Sequence, residues 1–149
     1  MTILKFYYLL LAGFCLPVFM FSQTENRNNA FKDGEKLTYK LTYNSSLGEV
    51  NAGEASVEIK KEIYMGNPIY HLVGIGKTNS FFDFFYKVRD KFESKVDPST
   101  LHPYSFIRTT REGNYSFDDT VSFDREKDTA FSSRKKTLIP KDVFDIVSG

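Results

Sequence analysis

Between Lys36 and Tyr43 every second residue is large and apolar, with Leu37, Tyr39, Leu41 and Tyr43 alternating with Lys36, Thr38, Lys40 and Thr42. A period of two belongs to a strand with one face on a core and the other in water, and no helix keeps such a pattern on one side. After the turn residues Asn44 to Gly48, a second run carries Val50 and Ala52, then Ala55, Val57 and Ile59, with Ser56, Glu58 and Lys60 opposite. The apolar parity slips by one at Gly53. A glycine at such a slip predicts a β-bulge, which bends and twists a sheet, so the chain is expected to build on a long, curled hairpin.

The pattern continues through five more strands. Pro68 to Lys77 is apolar on both sides, with Ile69, His71, Val73 and Ile75 on one and Tyr70 and Leu72 on the other, followed by Gly74 and Gly76. Such a strand is expected to be covered twice. His71 is expected to pack rather than to bind metal, because metal sites need several converging ligands and His102 is the only other histidine. Tyr86 to Val96 alternates strictly, with Asp90 on the otherwise apolar side; Asp97-Pro98-Ser99-Thr100 is a turn. Gly113-Asn114 is a two-residue hairpin signal between Pro103–Glu112 and a strand beginning at Tyr115. Pairing Glu112 with Tyr115 sets Thr110 against Phe117, Arg108 against Asp119 and Phe106 against Val121. This register predicts an inward-facing polar cluster, Asp90, Arg108 and Asp119, across three adjacent strands. It is read either as a structural ion cluster or as a polar spot facing a ligand. A seventh strand is expected over Thr129 to Lys136. Pro140 is expected to open a C-terminal helix, with Asp142 in its first turn and Val143, Phe144, Ile146 and Val147 on its apolar face. Because the sequence stops inside that face, the domain is expected to be incomplete at its C-terminus.

Ser80-Phe81-Phe82-Asp83-Phe84-Phe85-Tyr86 is the most unusual stretch. The spacing of Ser80 and Asp83 predicts a short helical turn, and its rings are too many to hide within one turn. Phe81, Phe82, Phe84 and Phe85 are therefore candidates for an aromatic lid over a cavity, or for a loop touching lipid or a partner, against the plainer reading of a plug at one end of the core.

The first residues give an address. Lys5, the apolar run Phe6 to Phe21 and the small residue Ser22 read as a signal peptide over 1–22, followed by a disordered leader over 23–30 and a single β-rich domain over 31–149. The only cysteine, Cys15, lies in that run, so no disulfide is expected in the exported domain. The chain holds 20 basic and 19 acidic residues, and loss of Lys5 leaves 19 against 19. A balanced charge gives no reason to expect nucleic acid as a partner. No transmembrane span is expected once the signal is removed.

Taken together, Gly34-Glu35-x-Leu37-x-Tyr39, Ala52-Gly53-Glu54-Ala55 and Val88-Arg89-Asp90-x-Phe92-Glu93-Ser94-x-Val96-Asp97 resemble the bacterial family known as Domain of Unknown Function 3108. The resemblance continues through Leu101-x-Pro103, Phe123-Asp124-Arg125, Ile139-Pro140 and Asp145-x-x-Ser148. It implies an exported protein of the Gram-negative envelope, with a curved antiparallel sheet similar to the half-barrels of lipoprotein carriers. It implies no activity.

The fold expected is thus all-β, a curved antiparallel sheet or half-barrel with a short aromatic helical turn and the start of a C-terminal helix. The role expected is non-catalytic binding of a lipid or other hydrophobic molecule on the concave face. The alternative is a structural or interaction module that docks onto an envelope protein. No catalytic constellation, cofactor or metal site is recognised in the sequence.

Overall fold

The computed structural model describes residues 31–46 and 48–149. The signal peptide and leader expected over 1–30 lie outside the described residues. Eight strands form one antiparallel sheet whose spatial order is the order of the chain: β1 (Lys36–Ser45), β2 (Gly48–Tyr64), β3 (Asn67–Thr78), β4 (Arg89–Val96), β5 (Pro103–Glu112), β6 (Tyr115–Asp124), β7 (Thr129–Ser132) and β8 (Lys136–Leu138). The sheet is open, since β1 and β8 do not pair. One helical turn, α1 (Ser80–Asp83), joins β3 to β4. Among the described residues no helix is long and apolar enough to cross a membrane.

The bulge falls at the parity slip. Leu41 faces Gly53 and Thr42 faces Asn51, which leaves Ala52 as the inserted residue. Glycine is required there, because a Cβ on Gly53 would collide with the carbonyl oxygen of Lys77 on β3. Between β5 and β6 the pairs are Glu112 with Tyr115, Thr110 with Phe117, Arg108 with Asp119 and Phe106 with Val121, as the Gly113-Asn114 turn dictates. Between β4 and β5 the pairing holds as far as Lys95 opposite Ser105, then slips so that Val96 faces Pro103 rather than Tyr104.

The core lies on one face of β2, β3 and β4. Leu72 pairs with Ile59 on one side and Ser94 on the other, and Tyr70 pairs with Val96. Ile59, Tyr70, Leu72 and Val96 are buried together, with Phe31, Leu101 and Val147 packed against them. Each such side chain stabilises the fold by about 1.5–3 kcal/mol relative to exposure.

Two details near the C-terminus depart from expectation. The chain after Phe131 turns at Ser133–Lys135 and returns as β8, where the sequence suggested one longer strand over Thr129 to Lys136. Residues 140–149 form turns and no helix. Asp145 and Ser148 divert the backbone: Asp145 Oδ1 accepts from the N–H groups of Val147 and Ser148, while the Asp145 N–H donates to Ser148 Oγ. Side chains that bond to nearby backbone in this way compete with helix formation. The resulting strap lies across the core face of the sheet, where Val147 packs on the core.

Candidate functional site

The site is built on a floor that lacks side chains. Across β2, β3 and β4, Val57 pairs with Gly74, which pairs with Phe92; Ala55 pairs with Gly76, which pairs with Asp90. Two glycines on one face, two residues apart, leave a shallow trench between Ala55 and Val57 on one side and Phe92 on the other. The strap forms its roof, with a Val147 methyl 3.9 Å from the point a Gly74 Cβ would occupy. Between trench and roof lies an open apolar groove of about 310 Å³ lined by Ala55, Val57, Gly74, Gly76, Phe92, Ile146 and Val147, with Ser56 and Ile75 contributing at its margin.

By register the groove floor continues onto β1, where Leu37 pairs with Val57 and Tyr39 with Ala55. The expectation of a buried face on β1 is not met: Leu37, Tyr39, Leu41 and Tyr43 are between 46 and 61 % exposed. The strap packs over β2–β4, and the alternation of β1 presents an apolar row that stays exposed.

The strap is tied at two points. Ser94, fully buried on β4, donates its hydroxyl to Asp145 Oδ2 at 2.6 Å. The Arg125 guanidinium donates to the carbonyl oxygens of Lys141, Val143 and Pro103 at 3.0–3.2 Å, joining strap to sheet. Burial pulls the Arg125 guanidinium below its ordinary pKa, opposed by Asp128, Asp142 and Asp145 around it. Its Nε is buried without a partner among the described residues. Sequence reasoning did not single out Ser94, Arg125, Asp145 and Ser148 as a unit. The signal was the Asp-x-x-Ser spacing, which suits a reciprocal side-chain turn better than a helix.

The polar cluster does not form as an ion cluster. Arg108 stands opposite Asp119, as expected, yet its Nε donates to Thr110 Oγ1 at 2.9 Å and its guanidinium lies over the Phe117 and Phe92 rings at 5.0 and 6.0 Å. Asp119 instead accepts from the hydroxyl and N–H of Ser133, which hold its carboxyl below the usual range. Asp90 accepts from the N–H of Arg111. Each carboxylate finds a nearer donor than Arg108, and the arginine finds aromatic faces, an alternative that charge pairing in sequence does not reveal.

His71 stands on the opposite face of the sheet, its Nδ1 3.0 Å from Glu62 and its Nε2 3.1 Å from Glu93. Burial works against the Glu93 charge, but Lys91 and His71 together hold its pKa below the ordinary value. Among the described residues no group of three His, Cys, Asp or Glu side chains could hold a metal ion. At the β4–β5 turn, burial also works against the charge of Asp97. The hydroxyl of Ser99, the N–H groups of Thr100 and Ser99, and the Tyr104 hydroxyl prevail and bring its pKa down to about 2.

The aromatic turn lies at the end of β3, and none of Phe81, Phe82, Phe84 and Phe85 lines the groove. Phe81, Phe84 and Phe85 stand exposed, which is not how a plug of the core behaves, and Phe82 is half-buried. The N-cap is Asn79 rather than Ser80: its side chain accepts from the Phe82 N–H at 3.0 Å. Asp83 has turned to Arg89, which meets it with two N–H groups at 2.9 and 2.5 Å.

With Ser56 the only polar residue at its lining, the groove can exclude water and hold apolar matter; it brings together no nucleophile and base. A search of curated proteins and one of solved structures each returned no match. Residues 38–149 match the family described as "Protein of unknown function (DUF3108)", and the chain belongs to that family.

Proposed function

We propose that this chain is an exported, non-catalytic binding protein of the cell envelope that holds one acyl chain in the groove between the β2–β3 floor and the strap. The observation that carries this reading is the groove itself: about 310 Å³, apolar, floored by Gly74 and Gly76, and continuous by register with the uncovered row on β1. That volume stands at the lower end of ligand pockets. A polymethylene chain needs a smooth, narrow trench and no directional contacts, which is what two glycines between apolar walls supply. Export rests on the run Phe6 to Phe21 and Ser22.

A second reading draws on the same row. Among the described residues β1 is an edge strand, and Leu37, Tyr39, Leu41 and Tyr43 beside that edge suit docking onto an envelope protein by strand addition.

Titration with 11-(dansylamino)undecanoic acid separates the two. At Gly76 a Cβ would meet only the Asp90 Cβ, at 4.0 Å, so the backbone accepts a side chain there and Gly76→Leu places one in the trench. The expected result is saturable, blue-shifted probe emission that weakens about tenfold or more in Gly76→Leu at an unchanged melting temperature. Equal binding by both proteins, or none by either, overturns the acyl-chain reading in favour of docking.

A further inference from the structure

We infer that the aromatic turn is a wedge that enters the interfacial layer of an anionic phospholipid bilayer. Three features of the turn support this. The first is an apolar tip that the fold leaves in water: Phe84 is 84 % exposed, and Phe81 and Phe84 both stack edge-to-face on Phe85, with ring centroids 5.6 and 5.3 Å apart. A contiguous patch of rings at a protruding turn is disfavoured in water and suits the boundary between headgroups and acyl chains.

The second feature is that the turn meets its own polar needs. The N–H of Phe82 reaches Asn79 Oδ1, that of Asp83 reaches the Asn79 carbonyl, and those of Phe85 and Tyr86 both reach the Phe82 carbonyl, at 2.8–3.0 Å. Orphan N–H groups would be costly in a medium without water, and these four are satisfied from within. The one acid of the turn is neutralised: Asp83 is gripped by Arg89 and by the Thr78 hydroxyl, which together hold its carboxyl below its ordinary pKa. From Thr78 to Arg89 the chain carries Asp83 against Lys87 and Arg89, so once Arg89 is paired with Asp83 the segment keeps one further cation, Lys87, behind the tip. Rings in front and a cation behind are the arrangement that an anionic lipid surface takes.

The third feature is rigidity. Asn79 ties the turn to β2 through the carbonyl oxygens of Ala52 and Asn51. At the other side the Tyr86 ring packs against Gly113, where a Cβ would come within 2.8 Å of it, and the Gly113 N–H donates to the Lys87 carbonyl at 2.8 Å. A turn braced on two hairpins loses little freedom when it inserts. The choice of a bilayer over a protein rests in part on the groove reading above, because a protein that takes up an acyl chain has to meet the surface that supplies it.

The chain contains no tryptophan, so Phe84→Trp places a single reporter on the tip and Ile63→Trp places one about 35 Å away at the far end of the sheet. Both variants are mixed with vesicles of phosphatidylglycerol and brominated phosphatidylcholine in equal parts, and with brominated phosphatidylcholine alone. The expected result is blue-shifted, quenched emission from Phe84→Trp on the anionic vesicles, a weaker response on the neutral ones, and no change from Ile63→Trp. Adding Phe81→Ser and Phe85→Ser to Phe84→Trp lowers partitioning on the order of a hundredfold, at about tenfold per ring. A tip reporter that ignores anionic vesicles, or that responds no more than Ile63→Trp, overturns the wedge. The dansyl probe tests the groove separately: an unresponsive tip beside intact probe binding sinks the wedge alone, and a responsive tip without probe binding sinks the groove alone.

Discussion

Leu72 on β3 and Tyr39 on β1 are both written into the same kind of alternating strand and project on the same face of one sheet, yet Leu72 is buried and Tyr39 is 54 % exposed. What separates them is cover: Phe31, Leu101 and the strap's Val147 pack on the cluster that holds Leu72, and among the described residues none of them belongs to a cluster with Tyr39. The lesson is that alternation assigns a side chain to a face, while burial depends on a segment distant in sequence that covers that face. The groove sits where the covered and uncovered halves meet.

The sharpest way to break this comparison is to truncate one residue from each half. Leu72→Ala is expected to cost about 2–5 kcal/mol in denaturant unfolding, as for other core truncations, and Tyr39→Ala less than about 1 kcal/mol. Equal losses would mean that β1 is covered after all. A smaller effect is expected at the tie that makes the difference. Asp145→Ala removes the acceptor of the buried Ser94 hydroxyl and is expected to cost about 1–3 kcal/mol. Hydrogen exchange should then quicken in residues 140–149 while β5 and β6 keep their protection; uniform protection across the chain would count against a separate strap.

The smallest effect concerns pH at the edge of the covered half. The folded pKa of Asp97, about 2, lies below the value near 3.9 of an unfolded aspartate. The folded state therefore binds fewer protons in that interval. The stability Asp97 contributes is fully present above about pH 5 and is lost as pH falls through 4 towards 2; the two values alone correspond to about 2.6 kcal/mol, which solvent screening at this partly exposed turn reduces to roughly 1–2 kcal/mol. Unfolding curves of the wild type and Asp97→Asn should differ at pH 6 and converge at pH 2. A constant gap would place the cause outside this carboxylate.

Local patterns carried most of the fold. The bulge was legible because a parity slip coincided with Gly53, and the β5–β6 register because Gly113-Asn114 fixes a two-residue turn. The ion cluster was not legible. Register places Arg108 opposite Asp119, but rotamers and competing donors such as Ser133 decide whether they meet. The helix expected from Pro140 failed because the apolar spacing of Val143, Phe144, Ile146 and Val147 was weighed without the backbone bonds of Asp145 and Ser148. The groove was hidden for a related reason. Gly74 and Gly76 were visible in sequence, but their meaning needs the strap above them.

The meander order of the strands bears on how the molecule is made. Every strand after β1 pairs with the one just before it, so each hairpin can zip as the chain is synthesised, without waiting for distant partners. The Ser94–Asp145 tie spans 51 residues and is the step that has to wait. Until it closes, the floor of the groove is bare greasy sheet, and that interval is when an unfinished chain is most exposed to wrong association.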